Sequence, residues 1–181
     1  SFELSPDTPE DFDGGEVDYL SQHKGISPES AREMLDRVTG VAADAGLTYR
    51  FDLLKHTNTV KAHELLHFAK ENGRQLELAE ILMSAYFLEG RHVGRDDDLV
   101  RLAVEAGLDE DAARDALASQ RYRAAVRADQ AQAQQFGITG VPFFVIDGKY
   151  GVSGAQPVEA FTQIARQVWG ERREASATAD A

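Results

Sequence analysis

The segment His63-Glu64-Leu65-Leu66-His67 spells H-E-x-x-H. In that pattern two histidines four residues apart share a helix face and ligate one zinc, while the Glu between them activates the metal-bound water. A zinc peptidase is therefore the first chemistry to weigh. It needs a third protein ligand, and the extended metzincin pattern fails because Lys70 stands where Gly is required. Glu77, Glu80 and Glu89 are third ligands in principle only. A helical wheel gathers Ala62, Leu65, Leu66 and Ala69 on one side and His63, Glu64, His67, Lys70 and Glu71 on the other. This pattern puts His63 at the border of the core and His67 on a solvated face, so no metal is assigned and a peptidase is disfavoured.

Cysteine is absent from the 181 residues, which removes disulfides, thiolate metal sites and thiol nucleophiles from the chemistry this chain can do. The formal charge of -12, with Lys and Arg interspersed among Asp and Glu, repels phosphate and argues against nucleic acid as a partner. No apolar run approaches the roughly 20 residues that span a bilayer, so no membrane partner is expected. The chain opens at Ser1 without a basic, then apolar, leader. Its start reads as a cut, and a cytoplasmic location is expected.

The elements that position these residues follow from caps and periodicity. "SFELSPDTPEDFDGGEVDYL" begins with Phe2 and Leu4 in alternation, the last residues of a strand, and passes into a Pro/Asp/Gly-rich loop. Ser27 as N-cap and Pro28 at the first helical position start a helix in which Met34, Leu35, Val38 and Val41 recur at helical spacing before Gly46. Tyr49 and Phe51 mark a short extended segment leading to Asn58, the expected N-cap of the His63–His67 helix. From Asn58 to about Gln135 the pattern is helical, broken by Gly73, Gly90, Gly94 and Gly107, and predicts four or five packed helices.

The texture changes at "QQFGITGVPFFVIDGKYGVSGAQP". Gly137 ends a helix, Phe143 to Ile146 form an aromatic and β-branched strand, Asp147-Gly148 supply a type I′ turn, and Tyr150 to Val152 return. Pro157 opens a last helix with Val158, Phe161, Ile164, Ala165 and Val168 as its apolar stripe. Beyond Gly170, the polar and small residues of "ERREASATADA" predict disorder.

Around Thr139-Gly140-Val141-Pro142-Phe143, the chain resembles the DsbA-like thioredoxin-fold oxidoreductases, in particular their FrnE-like branch. The resemblance extends over most of the chain, because "SFELSPDTP", "HTNTVKAHELLHFAKENG" and "GITGVPFFVIDGKYGVSGAQ" follow in the order that family shows. It implies an α/β fold: a thioredoxin-like domain, N-terminally incomplete here, with a large all-helical insertion. The implied boundaries are 1–57 for the remainder of the N-terminal half and connecting helices, 58–136 for the insertion, 137–170 for the strand-hairpin-helix, and 171–181 for a disordered tail. Val141-Pro142 is the implied cis peptide, a form that costs only about 0.5–1 kcal/mol over trans. Thr139, Gly140, Val141 and Pro142 would then offer a backbone edge where an extended substrate peptide or glutathione pairs by strand addition. His56 and Asn58 belong to the loop that the family holds near its dithiol, with capping as the simpler role of Asn58. Protein or peptide thiols and disulfides are the implied substrates, and no cofactor is implied.

The family's catalytic pair is a Cys-x-x-Cys at the start of the first thioredoxin helix, whose N-terminus stabilises the thiolate. The resemblance therefore places the dithiol upstream of Ser1, leaves no catalytic residue in this chain, and implies that the chain alone is inactive. A sheet missing its central strand exposes an apolar edge, for which oligomerisation or strand exchange is the expected repair. Two other readings stay open. Glutathione-dependent isomerases and kappa-class transferases resemble Gly-[Ser/Asn]-Asp after the second hairpin strand, where this chain has Ser153-Gly154-Ala155 and lacks the glutathione-binding acid, which argues against that branch. A non-catalytic peptide-binding module would use the same Val141-Pro142 edge.

Overall fold

A computed structural model of the chain describes residues 1–9, 12 and 14–179. The chain forms two compact units, Ser1–Ala131 and Gln132–Ala181. Their boundary falls inside a helix. The first 57 residues are bonded into the helical unit: Arg50 N–H donates to Phe87 O at 2.8 Å.

The first unit contains α1 (Glu16–Lys24), α2 (Pro28–Asp44), α3 (Val60–Glu71), α4 (Gln75–Phe87), α5 (Asp96–Glu105), α6 (Glu110–Ala118) and most of α7 (Arg123–Gln135). Its core lies where α3 meets α4, α5 and α6, around the fully buried Leu65, Leu78, Leu99 and Leu102. Burying leucines of this kind contributes about 1.5–3 kcal/mol each. The caps follow from sequence. Ser27 Oγ accepts from Ser30 N–H at 3.2 Å with Pro28 behind it, and Asp109 Oδ1 accepts from Ala112 N–H at 2.8 Å. Asp96, Asp97 and Asp98 fill the first turn of α5, where the positive end of the helix dipole favours them.

Four expectations are corrected here. Phe2 to Leu4 is not a strand. The side-chain amide of Gln130 takes the place of a neighbouring strand, accepting from Glu3 N–H and donating to Glu3 O, both at 3.1 Å. The loop before Ser27 contains a helix, α1, held by Asp18 Oδ2 accepting from Gly15 N–H at 3.0 Å and closed by Gly25 at φ 67°. On α2 the buried residues are Ala31, Leu35 and Ala42, and Val38 and Val41 lie exposed. Helix α3 begins at Val60, two residues beyond Asn58.

The second unit holds a β-hairpin and a long helix. Strand β1 (Phe143–Ile146) pairs antiparallel with β2 (Tyr150–Ser153), Phe144 opposite Val152. Asp147 and Gly148 both take positive φ, at 56° and 66°, as the expected turn requires. Helix α8 (Val158–Ala179) packs on one face of the hairpin, with Phe161 edge-on to Phe144 at 4.9 Å. Gln167 Nε2 donates to Tyr150 Oη at 3.1 Å, and Val152 and Val168 are buried. The helix runs through Gly170 to Ala179, so the stretch read as a disordered tail is helical as far as it is described. Its Ala, Glu and Arg are strong helix formers that outweigh one glycine, which costs about 1 kcal/mol against Ala.

Candidate substrate-binding site

Two groups of residues carry the chemistry expected from sequence, one in each unit. In the first, His56 and Asn58 come together on the loop entering α3. His56 N–H donates to Gly14 O at 2.9 Å, which forms a single β-bridge. The ring stacks on Tyr19 with centroids 3.6 Å apart, and its Nδ1 and Nε2 lie 2.8 Å from Glu16 Oε2 and 3.2 Å from Thr8 Oγ1. Carboxylate, imidazole and hydroxyl are thus aligned as in a hydrolase triad. Thr8 and His56 are buried, however, so the alignment serves to fasten the loop around Thr8 to α1. Burial would raise the Tyr19 phenol, but hydrogen bonds with Ser5 and Thr8 and the charge of Lys24 together lower it.

Asn58 is also spent internally. Its Nδ2 donates to Thr8 O at 2.7 Å, and its Oδ1 accepts from Val60 N–H at 2.9 Å, capping α3 from one residue before the formal cap Thr59. Behind it, Gly94 closes against the chain: a Cβ there would stand 2.2 Å from Thr57 Oγ1 and 2.9 Å from Asn58 O. Thr8, Glu16, Tyr19 and Gly94 were not legible as members of this group, because they lie far from His56 and Asn58 in sequence and follow no motif.

The H-E-x-x-H residues are not arranged for zinc. Glu64 is buried, its side chain 1% exposed, and its Oε1 accepts from Arg123 Nε at 2.7 Å. His67 Nε2 lies 3.0 Å from Asp129 Oδ2 and 3.2 Å from Ser1 Oγ. Burial above all holds His63 down at about 4. The expected charged face is therefore a polar seam against α7, and neither Glu64 nor His67 sits on a solvated surface. The wheel sorted residue types and could not register the counter-charges that α7 brings.

In the second unit Thr139, Gly140, Val141 and Pro142 form one turn leading into β1, with Gly140 half-buried and the other three exposed. The Val141-Pro142 bond is cis. Pro142 O accepts from Gly154 N–H at 2.9 Å, tying the turn to the end of β2. Since paired positions alternate along an antiparallel ladder, this bond assigns Phe144 and Ile146 to the β2 side. The backbone groups of Phe143 and Val145 therefore point to the opposite edge. Among the described residues β1 pairs with β2 alone. The edge that begins at Val141 is unpaired among the described residues.

The DSBA-like thioredoxin domain model matches residues 6–165. The crystal structure of a probable DsbA oxidoreductase from Streptomyces coelicolor superposes with a TM-score of 0.85 at 45% identity, covering 94% of this chain and 74% of that one. A candidate protein disulfide isomerase from Nitrosomonas europaea matches with a TM-score of 0.66 at 17% identity, over 86% of this chain and 88% of that one. That second likeness is one of fold. The protein YwbO of Bacillus subtilis (strain 168) is 35% identical over 107 residues, 59% of this chain and 53% of YwbO. The chain thus spans about half the length of that curated relative.

Proposed function

Because the chain belongs to the DSBA-like thioredoxin domain family, we propose that it is the substrate-presenting part of a FrnE-type protein thiol-disulfide oxidoreductase whose dithiol lies outside these 181 residues. The observation that carries this reading is the open edge of β1 at Val141-Pro142 in a chain that has the family's domain and no cysteine. A peptide laid along that edge gains main-chain hydrogen bonds whatever its sequence, which suits an enzyme acting on many protein thiols. In the reaction a thiolate gives its electron pair to one sulfur of the substrate disulfide. The other sulfur leaves as a thiolate, and the second thiol of the pair resolves the mixed disulfide, so that the substrate is reduced and the dithiol oxidised; disulfide formation is the reverse.

In this reading His56 and Asn58 shape the loop entering α3 and do not touch substrate, since their polar atoms are engaged with Thr8, Glu16 and Val60. Cytoplasmic residence and glutathione as a small thiol partner belong to the same proposal. The test compares the 181-residue chain with a version extended upstream to include a Cys-x-x-Cys segment, in an insulin-reduction assay. Turnover only in the extended protein is expected, and turnover by the chain alone would overturn the assignment. If the extended protein is inactive but still binds unfolded peptides, a binding module replaces the enzyme.

A further inference from the structure

Helix α2 carries two apolar stripes, and the fold uses one. Its buried positions are Ala31, Leu35 and Ala42, and its packing neighbour in the first unit is α1. Met34, Val38, Val41 and Ala45 recur at spacings of four, three and four, which places them along a single line beside the buried stripe. Val38 is 42% and Val41 70% exposed. Such a line at heptad spacing has the form of a helix-packing seam.

Charge identifies what covers it. Arg37 and Asp44 flank the stripe on the side away from α1, seven residues and therefore about two turns apart. Neither has a hydrogen-bond or ion-pair partner among the described residues. We propose that this face of α2 packs against the same face of a second copy of the chain, the two helices running antiparallel about a two-fold axis. Val38 then faces Val41 of the second copy, and Met34 faces Ala45. Arg37 falls two residues, about 3 Å along the axis, from the level of Asp44 of the second copy. The two-fold axis makes the ion pair twice, as an isologous interface must. The patch is self-complementary in charge even though the chain carries a net -12. This pairing does not depend on the redox reading.

The test is sedimentation of the 181-residue chain from about 1 to 100 μM, the range of a modest protein interface. A dimer forming across this range is expected. Val41→Asp should abolish it with the melting temperature unchanged, because Val41 is exposed. Arg37→Asp should weaken it about tenfold, and Arg37→Asp/Asp44→Arg should restore it. The chain has no other cysteine, so mixing a Val38→Cys chain with a Val41→Cys chain should give more disulfide-linked dimer on mild oxidation than either alone. A chain that stays monomeric throughout, or a dimer that survives Val41→Asp, would overturn the proposal. A dimer lost in Val41→Asp but without the mixed crosslink would overturn the antiparallel register.

Discussion

Replacing Arg123 by Met tests whether the Glu of the H-E-x-x-H segment is a structural charge. Glu64 is 1% and Arg123 22% exposed, and the Nε–Oε1 distance is 2.7 Å. The other carboxylate oxygen, Oε2, is buried without a hydrogen-bond partner among the described residues. A carboxylate in such a place depends on its cation, because removing one partner of a buried pair leaves an uncompensated charge at about 3–5 kcal/mol. The partial exposure of Arg123 lets water reach the vacated volume and favours the lower end, about 3 kcal/mol. For a chain of this length each kcal/mol moves the melting temperature by roughly 2–4 °C, so Arg123→Met should lose roughly 6–12 °C. Glu64→Gln behaves differently. The amide oxygen still accepts from Arg123, no charge has to be desolvated, and the change should stay within about 1 kcal/mol. Adding Glu64→Gln to Arg123→Met should recover about half or more of the loss. Urea unfolding followed by far-UV circular dichroism measures all four proteins. If Arg123→Met lies within about 1 kcal/mol of the parent, or Glu64→Gln costs more than Arg123→Met, then the pair is not the buried structural charge inferred here.

Other predictions follow from neighbouring residues. His63 is held at about 4 above all by burial, below its ordinary value near 6.5. The unfolded chain therefore binds this proton first, and stability present above pH 6.5 is lost as pH falls towards 4, by up to about 3 kcal/mol; urea titrations should show His63→Gln flattening that limb. Asn58→Ala removes both the cap to Val60 and the bond to Thr8 O, and should cost about 1–3 kcal/mol by the same measurement. Gly94→Ala drives a methyl into Thr57 and the backbone of Asn58, and should cost about 1–3 kcal/mol, with amide exchange rising in the loop 56–59. Because Glu64 is committed to Arg123 and His67 to Asp129, protein purified without added metal should contain no stoichiometric zinc. One tightly held zinc per chain, lost in His63→Ala, would reverse that reading.

What the sequence disclosed depended on how far apart the cooperating residues lie. Ser27-Pro28 starts a helix and Asp147-Gly148 turns a hairpin through backbone preferences acting over a few residues, and the strands and caps they announce are where periodicity put them. Helix α1 escaped because nine residues give a short pattern with Tyr19 as its one buried member. Residue type was a poor guide where a distant partner decides. Glu64 looked solvated until Arg123 arrived from 59 positions away, and His56 looked available until Glu16 and Thr8 took both ring nitrogens. Val38 and Val41 looked like core because apolar spacing shows that a face wants covering without showing what covers it. The same distinction sorts the candidate site. His56 and Asn58 turn inward as supports. Thr139 to Pro142 form a turn whose conformation is set within their own hairpin, by Gly154 on Pro142 O. The edge from Val141 along β1 is therefore where peptide contact should be sought first. Backbone amide shifts there on adding an unfolded peptide, with those of the loop 56–58 unmoved, are the pattern this division of roles demands.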